Sequence, residues 1–185
     1  IDRETLFYLD FKIQRFIEGI ISPDVTRFMV KITNLGGVFF TVTMAVVMAL
    51  YLLYKRHWRR LFTLFLATGG GGAILLLLKL LFHRPRPMPQ LVMAYGYSFP
   101  SGHAFSAMMI YGFFMYLIWG MGQLRIAKLM LLFVSIFLIF LVGLSRVYLN
   151  VHWLTDVLGG YAAGFAWLVF SIVMVNTIVS KRAET

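Results

Sequence analysis

Five long apolar runs alternate with short polar segments along this chain, at residues 35–54, 61–82, 101–119, 127–144 and 157–179. A helix needs about 20 consecutive apolar residues to cross the hydrocarbon core of a bilayer, and each run is close to that length or exceeds it. The pattern therefore predicts an all-α fold, a polytopic bundle of five transmembrane helices that occupies residues 35–179.

Residues 1–34 follow a different pattern. Apolar residues such as Ile13 and Ile17 recur at helical spacing, and polar residues such as Asp10 fall between them. This pattern is typical of an amphipathic helix in the membrane interface, so we expect residues 1–34 to form an interfacial segment. A helix packed on the protein itself is the alternative. The sequence Ser-Pro-Asp at 22–24 predicts a break followed by the start of a second helix.

Composition agrees with a membrane protein of one domain. The chain of 185 residues is 61% hydrophobic and 13% charged. A soluble domain is about 45–50% apolar and about 25% charged. We therefore expect residues 1–185 to form a single integral-membrane domain in the lipid bilayer. The absence of cysteine excludes disulfides and thiolate-bound metals.

The net charge of +10 is concentrated at the ends of the apolar runs. Basic residues follow the first, third and fifth runs: Lys55, Arg56, Arg59, Arg60, Arg125, Lys128, Lys181 and Arg182. This distribution is typical of membrane topology, so we expect no nucleic-acid partner. The positive-inside rule places these residues on the cytoplasmic side of the plasma membrane. The segments 82–100 and 145–156 then lie on the outer, extracytoplasmic side.

Unusual polar residues gather on that outer side in three clusters. The first contains Lys79 and Arg86. Two helical turns separate these residues, so both side chains fit on one face of a helix. The nearby prolines are expected to end the helix and leave Arg86 just beyond its end. The alternative is a pair of cations that extend toward the membrane surface without a shared ligand.

The second cluster, Ser101, Gly102 and His103, opens the third apolar run. Ser101 is a favourable N-cap, and the free N–H groups after it form an anion site at the positive end of the helix dipole. Gly102 lets the backbone approach a ligand closely. Alternatively, Ser101 is only a cap and His103 is only a packed residue at the membrane boundary.

The third cluster contains Arg146, His152 and Asp156. Asp156 is the one carboxylate between Asp24 and Glu184, and an ionisable residue in an apolar setting is a functional candidate. On a helix, His152 and Asp156 are neighbours at i and i+4. A carboxylate bound to one imidazole nitrogen leaves the other nitrogen as a nucleophile. A structural His–Asp pair is the alternative, but three clusters on one face together favour a site that cleaves a phosphate ester.

These residues resemble a known signature. Lys79 with Arg86-Pro87, Pro100-Ser101-Gly102-His103, and Ser145-Arg146 with His152 and Asp156 resemble the complete three-part signature of the type 2 phosphatidic acid phosphatase (PAP2) superfamily. No signature position between 79 and 156 departs from it. The size and spans resemble those of the bacterial integral-membrane lipid phosphatases in this family. That branch usually has six spans, so we expect a first span upstream of Ile1.

The resemblance implies a role for each site residue. His152 attacks phosphorus to form a phosphohistidine intermediate, Asp156 orients the imidazole, and His103 protonates the leaving lipid oxygen. Five residues bind the phosphoryl oxygens: Lys79, Arg86, Ser101, Gly102 and Arg146. The chemistry agrees, because phosphoryl transfer depends mainly on positioning and charge stabilisation. A two-metal phosphatase needs several carboxylates, so the single carboxylate here favours a mechanism without a metal or other cofactor.

The same resemblance implies a lipid phosphomonoester or pyrophosphate as the substrate. Phosphatidylglycerophosphate, converted to phosphatidylglycerol and phosphate, is the first expectation. The alternatives are undecaprenyl pyrophosphate, a lipid carrier recycled for cell-wall synthesis, and phosphatidic acid; a lipid-phosphate binder or transporter is the non-enzymatic alternative. We expect His83 and Arg84 to form a solvated rim, with contacts to a second phosphate as the other interpretation. No obligate protein partner is indicated.

Overall fold

The computed structural model describes residues 3–120 and 125–183, which fold into eight α-helices and one short π-helical segment. The helices are α1 (Arg3–Glu18), α2 (Pro23–Asn34), α3 (Val38–Tyr54), α4 (Trp58–Phe65), α5 (Gly71–Phe82), α6 (Gly102–Trp119), α7 (Arg125–Tyr148) and α8 (Leu154–Ala183). The π-helical segment, Leu66–Gly70, joins α4 to α5 without a break. The side chains of Lys181 and Arg182, which contribute to the predicted topology, lie outside the described residues.

The five predicted transmembrane helices are confirmed within the described residues. Five helical stretches have the length and hydropathy of a membrane span: Pro23–Tyr54, Trp58–Phe82, Gly102–Trp119, Arg125–Tyr148 and Leu154–Val179. α7 continues to Tyr148, beyond the predicted end of its apolar run at residue 144. Ser145 and Arg146 in this last part of α7 are buried inside the protein, so the helix continues without exposing them to lipid.

The N-terminal segment forms the two helices that its pattern predicts, but the first span-length stretch begins at Pro23 and so includes α2, which the sequence pattern assigns to the interfacial segment. α2 begins at the Ser-Pro-Asp sequence, where the Val25 N–H donates to the Ser22 hydroxyl at 3.4 Å and Pro23 follows as a favourable first residue. α1 contacts α7 and α8, and it buries Asp10 and Ile17. α1 therefore packs on the bundle through one face, and its place in the membrane interface stays a prediction.

α6 is the most deeply buried span of the bundle and packs mainly against α7 and α8. Two glycines of α8 allow the close contact. A Cβ at Gly160 would lie 2.6 Å from the Ser101 carbonyl oxygen, and one at Gly164 would lie 2.8 Å from the Phe105 carbonyl oxygen. Small residues permit such close approach of membrane helices. The contact holds the first turn of α8 against Ser101, whose N–H donates to the Asp156 carbonyl oxygen at 2.9 Å.

We expect Gly160→Ala to lower the thermal stability of the protein, because the new methyl group would overlap the Ser101 carbonyl oxygen. Overpacking of this kind costs about 1–3 kcal/mol. Thermal unfolding of the purified variant in detergent, followed by tryptophan fluorescence, measures the effect. Gly69→Ala is the matched control, because no atom of the residues that the structure describes lies within 4 Å of a Cβ at Gly69. Equal transition temperatures for the two variants would contradict the importance of this contact.

Candidate active site

The three predicted clusters meet in one cavity, at the end of the bundle opposite the basic segment 55–60. The cavity has a volume of about 480 Å³. It is lined by Lys79, Arg86, Gly102, His103, Arg146 and His152, by Val30, Thr33 and Asn34 of α2, and by residues 92–95 of the α5–α6 loop. Among these lining residues are three cations and no carboxylate. The cavity is therefore electropositive and suited to a multiply charged anion.

Neutral protein groups hold the three cations in place. Lys79 and Arg86 donate to backbone carbonyl oxygens of the surrounding loops, at 2.7 Å in each case. Arg146 Nη1 donates to the Thr33 hydroxyl at 2.8 Å, whereas its Nε is buried without a hydrogen-bond partner in the described residues. Burial lowers the pKa of Arg86 from its ordinary value, but a guanidinium stays protonated at neutral pH. These contacts leave the positive charges available to a bound anion.

His152 lies in the turn between α7 and α8, and its side chain is almost fully buried. The expectation that His152 and Asp156 share one helix is wrong, because α8 begins only at Leu154. The two side chains nevertheless meet, with His152 Nδ1 3.6 Å from Asp156 Oδ2. Ser98 completes the contact, since its Oγ lies 3.4 Å from Nδ1 and donates to Oδ2. The other imidazole nitrogen, Nε2, lies 3.1 Å from Arg86 Nη1 at the cavity wall.

Asn150 shapes the turn that presents His152. Its φ of 52° is in the left-handed region, which asparagine adopts more readily than most residues. Its side-chain amide donates to the Pro89 carbonyl oxygen at 2.6 Å. The turn is thereby fixed to the α5–α6 loop, which also carries Arg86 and Ser98.

Asp156 is fully buried, and each carboxylate oxygen has a fixed partner. Oδ2 accepts a hydrogen bond from the Trp153 N–H at 2.9 Å. This contact caps the first turn of α8 and places the negative charge near the positive end of the helix. Oδ1 accepts from Arg84 Nη1 at 2.6 Å. The carboxylate has little freedom to rotate, so Oδ2 stays directed toward His152.

Burial lowers the pKa of His152 to about 4. The nearby Asp156 carboxylate raises this pKa by a smaller amount, and the Arg86 cation lowers it again. The imidazole is therefore neutral at pH 7. With its Nδ1–H directed at the carboxylate, it presents an unprotonated Nε2 at the cavity wall.

Gly102 and His103, at the start of α6 where an anion site is predicted, both line the cavity. Ser101 is fully buried behind the wall and caps α6, because its hydroxyl accepts from the Ala104 N–H at 3.5 Å. The contacts of Ser101 are those of a cap, and its contact with a phosphate stays a prediction.

Arg84 differs most from its expected place. Its side chain is 16% exposed and forms ion pairs with Asp156 and Asp10, so the expectation of a solvated rim is wrong for this residue; His83 is exposed, as expected. Ser98 lies in an irregular loop, where no periodicity indicates a contact. A signal existed for Asp10, because its spacing places it on the same helix face as the partly buried Ile13 and the buried Ile17.

The fold and the cavity define a multi-pass membrane protein with an electropositive cavity at one end of its helix bundle. The sequence model of the PAP2 superfamily matches residues 60–180. Phosphatidylglycerophosphatase B of Bacillus subtilis (strain 168) is 36% identical over 157 residues, which are 83% of this chain and 76% of that protein.

Solved structures show the same architecture. The crystal structure of a transmembrane PAP2-type phosphatidylglycerolphosphate phosphatase from Bacillus subtilis matches with a TM-score of 0.82 and 30% identity, over 96% of this chain and 87% of that one. Aquifex aeolicus LpxE shares the fold, with a TM-score of 0.68 and 24% identity over 88% of this chain and 93% of its own.

The chain belongs to the PAP2 superfamily. The enzyme class expected from its signature, a lipid phosphatase, is confirmed.

We expect the acid limb of kcat/KM that arises from His152 to lie below pH 5, because burial disfavours the imidazolium and lowers its pKa to about 4. The imidazole then stays unprotonated as the pH falls through 6.5, the ordinary histidine value. Phosphate release measured from pH 4 to 8 checks this, with the ionisation of the substrate titrated separately. A limb near pH 6.5 that does not belong to the substrate would contradict it.

Proposed function

We propose that this PAP2 enzyme hydrolyses phosphatidylglycerophosphate to phosphatidylglycerol and phosphate through a phosphohistidine at His152. The observation that carries the proposal is the neutral imidazole with Nε2 at the wall of a cavity that contains three cations. The name of the Bacillus subtilis relative, phosphatidylglycerophosphatase B, supports the choice of headgroup.

The phosphoryl group binds first, with its oxygens on Lys79, Arg86 and Arg146. The Nε of Arg146, which has no partner in the described residues, supplies a donor for one oxygen. Gly102, with Ser101 behind it, adds the N–H groups at the start of α6. In the free protein, Arg86 Nη1 lies within hydrogen-bond distance of the imidazole Nε2. Contact of Arg86 with a phosphoryl oxygen then releases the Nε2 lone pair for attack.

The chemistry proceeds in two displacements. His152 Nε2 attacks phosphorus, so that a P–N bond forms while the P–O bond to the lipid breaks. His103 donates a proton to the leaving oxygen, and Asp156 stabilises the positive charge that develops on the imidazole. Water then attacks the phosphohistidine, His103 accepts its proton, and the P–N bond breaks to release phosphate. The three cations offset charge on the equatorial oxygens throughout.

An apolar groove beside the cavity supports a lipid substrate. The groove has a volume of about 250 Å³ and lies between α3, α5 and α6. Leu75 lines it one turn before Lys79, and Ser106 lines it one turn after His103. A lipid with its phosphate in the cavity can therefore place an acyl chain along the groove.

The proposal places the site on the outer face of the plasma membrane. The cavity lies at the end of the bundle opposite Arg56, Arg59 and Arg60, which the positive-inside rule assigns to the cytoplasm. A non-catalytic lipid-phosphate binder would use the cations, but it would have no use for a buried carboxylate behind a neutral imidazole.

Phosphate release from purified lipids in detergent tests the substrate. We expect the highest kcat/KM with phosphatidylglycerophosphate and lower values with undecaprenyl pyrophosphate and phosphatidic acid. EDTA should leave the rate unchanged, because side-chain cations supply the charge stabilisation. A higher value for undecaprenyl pyrophosphate would replace the proposed substrate. Activity that is lost in EDTA and restored by added metal would contradict the metal-free mechanism.

His152→Ala should lower turnover by about 10⁴-fold or more, as the loss of a covalent nucleophile does. The variant should also fail to acquire ³²P from a labelled substrate. His57→Ala is the control, because His57 is exposed at the opposite end of the bundle. Thermal unfolding shows whether each variant is folded. Wild-type turnover by a folded His152→Ala protein would refute the nucleophile.

A further inference from the structure

A second buried carboxylate, that of Asp10 in α1, is connected to Asp156 through Arg84. We propose that Asp10 and Arg84 are positioning residues that hold Asp156, and through it His152, in the orientation needed for phosphoryl transfer. This inference rests on the proposed function of His152 as the nucleophile.

Arg84 bridges the two carboxylates with different nitrogens. Nη1 donates to Asp156 Oδ1 at 2.6 Å, and Nη2 donates to Asp10 Oδ2 at 2.7 Å. Both carboxylate side chains have 0% exposure to solvent. Charge-assisted hydrogen bonds are stronger than neutral ones, and burial reduces competition from water. The bridge therefore fixes both carboxylates relative to one guanidinium.

Thr155 connects Asp10 directly to the first turn of α8. Its N–H donates to Asp10 Oδ1 at 3.0 Å, and its hydroxyl donates to Asp10 Oδ2 at 2.5 Å. The first N–H groups of a helix have no partner inside it, so Asp10 satisfies one of them from another helix. Because Thr155 precedes Asp156, the same contact holds the backbone that carries the Asp156 carboxylate.

Aromatic side chains cover the bridge. The Arg84 guanidinium lies 5.3 Å from the ring centre of Phe7 and 5.7 Å from that of Trp153. Phe11 packs edge-on against Trp153, with ring centres 5.2 Å apart. Arg84 is thus held between rings from α1 and from the turn that carries His152, which adds cation–π attraction to the ion pairs.

The ion pairs of Arg84 with Asp10 and Asp156 determine which oxygen of Asp156 faces His152. Arg84 occupies Oδ1, so Oδ2 is left for Ser98, for the Trp153 N–H and for His152 Nδ1. If Asp10 no longer held Arg84 in place, the carboxylate of Asp156 could rotate. The Nδ1–H of His152 would then be misaligned. Neither Asp10 nor Arg84 lines the cavity, so their effect should be on the chemical step and not on substrate binding.

The test compares Asp10→Asn with Glu18→Gln, the same kind of change on the exposed surface of α1. We expect Asp10→Asn to lower kcat about tenfold, the usual scale of coupling within one hydrogen-bond network. KM should stay unchanged, and Glu18→Gln should alter neither constant. An Asp10→Asn enzyme with wild-type kcat would overturn the proposal.

A double-mutant cycle separates positioning from general destabilisation. In an Asp156→Asn background, Asp10→Asn should lower kcat little further, because the carboxylate through which Asp10 acts has already been replaced by a neutral amide. The same fold-loss in both backgrounds would count against the proposal, since a purely structural role predicts additive effects.

Two more measurements cover the remaining outcomes. If Asp10→Asn does not fold, the Asp10→Asn/Arg84→Gln variant removes one charge of each sign and should lose at least as much kcat. Histidine ¹⁵N NMR reads the imidazole without turnover: Asp10→Asn should shift the His152 signals and leave those of His57 in place. If the wild-type protein releases no phosphate, only the proposed function is contradicted. If the His152 signals do not shift in Asp10→Asn, the positioning role is contradicted.

Discussion

The carboxylate of Asp156 is the point at which separate segments of the chain meet. Arg84 and Ser98 reach it from the α5–α6 loop, and the Trp153 N–H and His152 reach it from the turn before α8. Removing a carboxylate from water costs several kcal/mol unless its oxygens find donors. The contacts that make its burial tolerable are the same contacts that set the direction of the imidazole. Stability of this end of the bundle and readiness for catalysis therefore depend on one set of hydrogen bonds.

This arrangement requires the first turn of α8 to lie directly against the start of α6. Helices in a membrane gain little from the hydrophobic effect and associate through close packing. Gly160 provides that packing, because its lack of a side chain admits the Ser101 carbonyl oxygen. The result brings His103, near the start of α6, to the same cavity as His152. Small residues near the start of α8 thus determine the distance between polar groups at the adjoining ends of α6 and α8.

Much of the fold could be predicted from the sequence, because length and hydropathy alone define a membrane span. The cavity cations could be predicted too, since a charge in an apolar chain is costly and needs a reason. The end of α7 could not, because Arg146 is polar but buried in protein, and hydropathy does not distinguish protein from lipid. The place of His152 depends on a turn that Asn150 shapes through its tertiary contact with the Pro89 carbonyl oxygen. Ser98 is recognisable only once the loops are folded.

The wall of the cavity has two origins in the chain. Val30, Thr33 and Asn34 come from α2, a helix that precedes the region matched by the family model at residues 60–180. The groups proposed to make and break bonds all lie between residues 79 and 156. Part of the cavity wall therefore comes from a helix outside the segment that carries those groups. A substitution at Val30 or Asn34 would change the shape of the cavity while leaving the proposed bond-breaking groups in place.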